Sequence, residues 1–286
     1  MQSKRTTFIA LRILDRLRRI FIALRNPFHF LAMKRRKNQQ KLKAYELINK
    51  LERKTDSTSH CVMFSKDRPL QLNALISSYK FFIKDAPKIS ITYGSSNERF
   101  KKSYLEVLER HRDIIEHIDY REDHQFQQSF LSIVDKVKTK SIFFLVDDNI
   151  FTREITISEL ANYDLASHIP SLRMHEKLEW CYNRFVRQKL PPFYDDLTQD
   201  KTHFSWLYSE GECDWNYPLS LDGHIFDTEE MKIILHHIEF NSPNSLELGM
   251  QLFNDTFKKR KGVSFKKPVI VNVPCNRIQD EIDNPY

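Results

Sequence analysis

The segment Ser141–Phe151 (Ser-Ile-Phe-Phe-Leu-Val-Asp-Asp-Asn-Ile-Phe) constrains the fold more than any other part of the chain. Five consecutive apolar residues, Ile142 to Val146, run straight into two carboxylates and an amide. A run this short, apolar at every position, reads as a strand buried on both faces, the habit of parallel sheets. Open α/β sheets bind ligands outside the carboxyl ends of their strands, which is where Asp147 and Asp148 would sit. Adjacent carboxylates repel, so a cation is expected beside them. A hard divalent ion, Mg²⁺ or Mn²⁺, shared with a diphosphate meets that need, because it takes oxygen ligands from both. Read alone, the tripeptide fits a solvated turn equally well.

The surrounding pattern favours the sheet. His60 to Phe64 reads as a strand, and Pro69 suits the first turn of the helix that follows. Lys88 to Tyr93 is a second strand, with Gly94-Ser95-Ser96-Asn97 opening a helix. Ile114 to Ile118 is a third strand, Phe126 to Val137 a helix, and Ser141 to Val146 the fourth strand. This alternation predicts an α/β fold with a mostly parallel central sheet and helices on both faces. Beyond Phe151 a short helix is expected over 157–162 and an extended segment over 166–174. Residues 178–192 read as a loop or lid, 204–208 as a strand, 228–238 and 245–259 as helices, and 268–273 as a last strand.

Charge divides the chain. The net charge over 286 residues is +7, but residues 1–54 hold 16 Lys and Arg against 3 Asp and Glu, and the remainder holds 29 against 35. The basic character belongs to the N-terminus, whereas a nucleic-acid enzyme carries it on the globular part, so no nucleic-acid partner is expected. In residues 8–25, Ile9, Ile13, Leu14, Leu17, Ile20, Phe21 and Leu24 fall on one helical face, with Arg12, Arg16 and Arg19 opposite. Pro27 interrupts, then Phe28, Phe30, Leu31 and Met33 precede Lys34-Arg35-Arg36-Lys37. Residues 8–37 thus describe an amphipathic basic region lying on an anionic membrane surface, at the cytoplasmic face. The same face could pack on the protein's own core or on a partner helix, and a nucleic-acid arm is a weaker option. The four cysteines, Cys61, Cys181, Cys213 and Cys275, form no C-x-x-C pair, which fits a reducing compartment. We divide the chain into a basic helical region, 1–54, and a globular domain, 60–286, joined at Thr55-Asp56-Ser57-Thr58-Ser59.

Four segments come in a distinctive order: Phe64-Ser65-Lys66-Asp67-Arg68-Pro69, Val146-Asp147-Asp148-Asn149, Pro218-Leu219-Ser220-Leu221-Asp222-Gly223-His224 and Ser242-Pro243-Asn244-Ser245-Leu246-Glu247. Together they resemble a GT-A fold glycosyltransferase of the family-2 type, over roughly residues 60–280. The resemblance implies a Rossmann-like catalytic domain that takes a sugar from a nucleotide-diphosphate donor, a UDP-sugar first, to a glycan or lipid-linked acceptor in polysaccharide or glycoconjugate synthesis. It implies that Ser65, Asp67, Arg68 and Tyr93 hold the nucleotide, and that Asp147, Asp148 and Asn149 occupy the Asp-x-Asp position of a Mn²⁺ or Mg²⁺ site. Asn149 departs from that pattern, and Arg277 is the cation that could replace the ion. Trp215, Gly223 and His224 would belong to the acceptor loop. Trp215 and Tyr217 fit sugar stacking or the core, and His224 fits an acceptor contact or a structural role. Glu247 stands at the family's general base, with Asp222 its rival; a first-turn carboxylate without chemistry is the alternative for Glu247. A non-catalytic sugar-nucleotide-binding or scaffolding module at the membrane is the competing function.

Overall fold

The computed structural model describes residues 27–120, 125–195 and 202–273. The amphipathic face expected over residues 8–25 lies outside them, as do Cys275 and Arg277. In chain order the elements are α1 (Pro27–Ile48), β1 (Ser59–Lys66), α2 (Pro69–Phe82), β2 (Ile89–Gly94), α3 (Glu98–Arg110), β3 (Ile115–Tyr120), α4 (Phe126–Val134), β4 (Ser141–Val146), β5 (Asn149–Phe151), α5 (Ile157–Ala161) and β6 (His168–Ser171). They continue with β7 (Trp180–Cys181), β8 (Val186–Arg187), β9 (Tyr194–Asp195), β10 (His203–Leu207), β11 (Ile225–Asp227), α6 (Thr228–His236), α7 (Pro243–Met250), α8 (Asn254–Phe257), β12 (Lys261–Phe265) and β13 (Ile270–Asn272).

The main sheet has the order β11-β4-β1-β2-β3. β4, β1, β2 and β3 are parallel, and β11 closes one edge antiparallel to β4. Alternate residues of the apolar strands feed two cores. Val62, Phe64, Ile142 and Phe144 face the core shared with α4, α6 and α7, whereas Cys61, Met63, Phe143 and Leu145 face the core shared with α2 and α3. Both faces of β1 and β4 are covered, which is why these two central strands carry no polar alternation, whereas edge strand β3 alternates half-buried and exposed residues. A second sheet, β6-β12-β10-β9, and two small ribbons, β13-β5 and β7-β8, are built beyond β4.

Several elements differ from the sequence expectation. The helix expected over 245–259 is broken: α7 ends at Met250, a 3₁₀ turn covers Gln251–Phe253, and α8 is a single turn. It also starts two residues earlier than expected, at Pro243, where Ser242 caps it through Ser245. β11 and β12 had no clear signal, being three residues long in one case and carrying Gly262 in the other. Gly262 is required, since a Cβ there would lie 2.1 Å from Trp206 Cζ2.

The basic helix is attached to the domain. Ala44 is buried, the Tyr45 ring meets Phe253 edge-on at 5.5 Å, and its hydroxyl accepts from Thr256 Oγ1 at 2.7 Å. Arg53 then pairs with Asp227 at 3.2 Å and Glu230 at 3.3 Å. Glu230 also takes a two-pronged bond from buried Arg260, at 2.6 and 2.8 Å. The first turns of α1 stay exposed, with Phe28 at 84%, Leu31 at 50% and Met33 at 46%. No helix among the described residues is long and apolar enough to cross a membrane.

Candidate active site

The parallel strands deliver their carboxyl ends to one edge. Register pairs Phe64 with Val146 and Ser65 with Tyr93, so the loops after β1, β2 and β4 meet there. Ser65 is the point at which β1 changes from apolar to polar while still buried. Its hydroxyl donates to Asp147 Oδ2 at 2.8 Å, leaving the Tyr104 hydroxyl to donate to Ser65 Oγ at 2.6 Å. The Arg68 backbone N–H donates to Tyr104 in turn, at 2.9 Å. Each hydroxyl has one proton to give, so the chain Arg68 N–H, Tyr104, Ser65 has a fixed direction and ends on Asp147. The Arg68 guanidinium lies 3.0 Å from Asp147 and 4.0 Å from Asp148. Burial pushes the Asp147 carboxyl up from its ordinary value, and the Arg68 charge and these hydrogen bonds oppose that push.

Asp67 ties two of the loops together. Its backbone is left-handed (φ 53°), its N–H reaches Gly94 O at 3.1 Å, and its Oδ1 accepts from Ser96 N at 2.6 Å. Tyr93 is nearly buried and packs against Tyr104, with ring centroids 4.6 Å apart. Tyr93 therefore packs against the Tyr104 ring that carries the relay to Asp147.

Asp148 is the less buried member of the pair. Its carboxyl is pushed up to about 7, first by burial and then by the Asp222 and Asp147 carboxylates, with Arg68 pulling the other way. Asp222, from the loop before β11, faces it. The Asn272 amide bridges the two at 3.4 Å to each, placed there by the β13–β5 ribbon. Asn149 plays a different part from the one expected. It is fully buried, and its Oδ1 accepts from Val146 N at 3.0 Å, closing the Asp147-Asp148 turn. Its carbonyl is committed to the backbone, so Asn149 shapes the turn and drops out of the metal set.

Among the described residues no three His, Cys, Asp or Glu side chains form a metal cluster. Two carboxylates that crowd each other, plus an amide whose oxygen and nitrogen can exchange places, still make a hard-oxygen donor set of the kind Mg²⁺ or Mn²⁺ takes with substrate oxygens.

Glu247 is the fifth of the eight residues of α7 and reaches back to the Asp222 loop. Its Oε1 accepts from Leu221 N at 3.1 Å. Burial, then Asp222, lift its carboxyl to about 7; the Leu221 amide, the Ser220 hydroxyl and the Arg173 charge favour the ionised form. Arg173, just after β6, is anchored by Asp214 at 3.2 Å and has Asp222 and Glu247 within its field. Gln188 holds the other Asp214 oxygen at 3.3 Å.

Three acceptor-loop expectations are corrected. Trp215 is wholly buried, stands edge-on to Trp206 at 5.0 Å and donates its indole N–H to Leu178 O at 3.0 Å; it is core, not a sugar platform. His224 is wholly buried and accepts from Ser220 N at 3.3 Å. Burial and the Arg173 charge push it down to about 3, so it stays neutral and out of an acceptor's reach. Gly223 serves packing: its φ is 71°, and a Cβ would lie 2.9 Å from Ile270 Cδ1 and 3.1 Å from Leu172 Cβ. Tyr217 is only partly buried and lies in the field of Glu247 and Asp222. The sequence reading missed Tyr104, Arg173 and Asn272. Arg173 and Asn272 each sit at the end of an expected extended segment, a signal that could have marked them; Tyr104 is one apolar-stripe residue among others.

A separate cavity of about 270 Å³ opens at the opposite, amino-terminal edge of the sheet, lined by residues including His60, Asp85, Lys88 and Glu116. It contains none of the groups above, and the carboxyl edge is where the reactive side chains converge.

No protein-family model matches the chain, and no curated protein matches its sequence. Solved structures do resemble it. GalNAc-T7, crystallised with UDP, GalNAc and Mn²⁺, superposes with a TM-score of 0.50 at 11% identity, over 80% of this chain and 45% of that one. A 1–349 fragment of TarS from S. aureus gives 0.48 at 11% identity, over 74% of this chain and 59% of that one. A nucleotidyl transferase from Methanothermobacter thermautotroptrophicus gives 0.43 at 11% identity, over 74% and 89%. The chain thus spans about three-fifths of the TarS fragment and under half of GalNAc-T7. The class these observations define is the GT-A fold: a mostly parallel sheet with its acidic site at the carboxyl edge.

Proposed function

We propose that this chain is a glycosyltransferase that takes a sugar from a nucleotide-diphosphate donor, a UDP-sugar first, and delivers it to a hydroxyl of a glycan or lipid-linked acceptor at a membrane surface, in polysaccharide or glycoconjugate synthesis. One observation carries the reading. Asp148 and Asp222 face each other at the carboxyl edge, with Arg68 on one side and Glu247, held near neutrality, on the other.

Ser65, Asp67 and Arg68 line the loop that would receive the nucleotide, and Arg68 places a permanent cation where diphosphate charge develops. Asp148 and Asp222, with the Asn272 amide, would hold Mn²⁺ or Mg²⁺, which when bound offsets negative charge on the departing nucleotide. Glu247 takes the proton of the acceptor hydroxyl as its oxygen bonds to the anomeric carbon. The bond from that carbon to the diphosphate oxygen breaks, and the nucleoside diphosphate leaves. A carboxyl with its pKa near 7 suits a base working at neutral pH. Burial first, and then Asp222, set that value.

Membrane attachment belongs to the same proposal. Lys34-Arg35-Arg36-Lys37 together with exposed Phe28, Leu31 and Met33 supply charge and apolar anchors on one helix end, supporting a peripheral position of residues 8–37 on an anionic, cytoplasmic leaflet. Sedimentation with phosphatidylserine vesicles should fall when Lys34 to Lys37 become Gln; equal sedimentation would count against it.

Release of UDP from a panel of UDP-sugars, with Mn²⁺ and mixed acceptors, tests the chemistry. Asp147→Ala/Asp148→Ala should abolish release, and turnover surviving in that variant would contradict the assignment. The withdrawal of Asn149 from the ligand set is the observation that favours a non-catalytic sugar-nucleotide module. Saturable UDP binding without release for any acceptor would select it.

A further inference from the structure

Three non-glycine residues among those described have positive φ: Asp67 at 53°, Phe185 at 53° and Cys213 at 52°. Such backbone costs about 1 kcal/mol or more and persists where surrounding structure enforces it, often beside a ligand. Asp67 is in the nucleotide loop. The segments that carry the other two are joined: the guanidinium of Arg184, the neighbour of Phe185, donates to Cys213 Sγ at 3.8 Å. Phe185 ends the turn Tyr182–Arg184 that links β7 to β8, and its left-handed conformation holds Arg184 at the tip.

This hairpin is anchored to the acceptor half of the site. Gln188 bonds Asp214, and Asp214 bonds Arg173, whose charge acts on Asp222 and Glu247. From Cys213 a 3₁₀ turn leads to Tyr217, whose phenol lies in the fields of Arg184, Arg173, Glu247 and Asp222. The hairpin is also uniform in sign. Residues 180–189 hold Arg184, Arg187 and Lys189 and no carboxylate, and all three are exposed. No ion pair engages any of the three among the described residues. Tyr182, 57% exposed, sets an aromatic plane beside them.

We propose that the β7–β8 hairpin is the acceptor-binding arm, with Arg184 taking a phosphate or carboxylate carried by the acceptor and Tyr182 stacking on its sugar. This rests on the donor site being where the proposed function puts it. A guanidinium presents a planar fork matched to both anions, and an aromatic face suits the apolar side of a pyranose. The acceptor is then an anionic glycan, its charge held by Arg184 and its hydroxyl presented to Glu247.

The test uses the full chain with UDP and Mn²⁺ at saturation, so that the diphosphate site is filled. Glucose, glucose 6-phosphate and glucuronate are titrated and followed by NMR. One or both of the anionic sugars should bind about tenfold more tightly than glucose, and Arg184→Gln should remove that preference while Arg184→Lys keeps part of it. Phosphate and carboxylate acceptors are told apart by which one gains. UDP affinity should be unchanged in both variants, which also confirms that they are folded. Equal binding of the three sugars, or a preference that survives in Arg184→Gln, overturns the inference while the donor site stands. Failure of UDP to bind the wild-type chain overturns the functional reading beneath it.

Discussion

Glu247→Gln separates chemistry from stability. Burial and the neighbouring Asp222 lift the Glu247 carboxyl from 4.5 to about 7. Between those pH values the folded chain keeps a proton that the unfolded chain has released. The stability linked to this group is therefore fully present below about 4.5 and is lost as pH rises toward 7. A rise of this size corresponds to roughly 3 kcal/mol, at 1.36 kcal/mol per unit. Solvent reaching this partly exposed carboxylate reduces the cost at pH 8 to about 1–2 kcal/mol. Gln removes the charge but keeps an oxygen for the Leu221 amide. Thermal melts followed by circular dichroism should show the variant melting about 2–6 °C higher than wild type at pH 8. The gap should close below pH 5, while sugar transfer is lost at every pH. A variant that melts lower at pH 8, or by the same margin at both pH values, would refute the argument that Glu247 is strained by its charge.

The remaining predictions concern neighbours of the same site and the attachment of the N-terminal helix. Transfer should rise with pH through about 7 as Glu247 ionises. In the metal-free chain, Asp222→Asn should let Glu247 ionise at lower pH by removing a like charge, followed by NMR titration of the Glu247 carboxyl; an unchanged titration would show that burial alone sets it. Glu230→Ala leaves buried Arg260 and Arg53 without their shared partner and should cost about 3–5 kcal/mol in urea unfolding. A loss under 1 kcal/mol would mean that water reaches the pair. Tyr104→Phe interrupts the Arg68-Tyr104-Ser65-Asp147 relay and should weaken UDP binding without altering the fold, measured by titration and near-UV dichroism.

The central sheet was legible because β1 and β4 are apolar on both faces and end abruptly in polar residues. Phe64 to Ser65 and Val146 to Asp147 mark the edge that binds ligands, and no tertiary knowledge is needed to see it. The loop from Trp215 to His224 was not legible in the same way. A short irregular segment has no period, so nothing in the residue order says that Trp215 and His224 turn inward while Asp222 turns out. Gly223 was rightly singled out for its backbone, but the close approach it permits is to Leu172 and Ile270. Asn149 illustrates the limit of a motif: its place in the tripeptide suggested a ligand, and the turn's own hydrogen bond claimed its oxygen. Arg173 and Asn272 reach the site only through pairings of β6 and β13 with strands far away in sequence.

Calorimetric titration of UDP into the full chain, with and without Mn²⁺, tests most directly the claim that the carboxyl edge handles a nucleoside diphosphate. We expect saturable binding at one site, strengthened by Mn²⁺ and lost in Asp147→Ala/Asp148→Ala while its melting transition remains cooperative. Absence of UDP binding to the wild-type chain, or equal binding to the folded double variant, would contradict it.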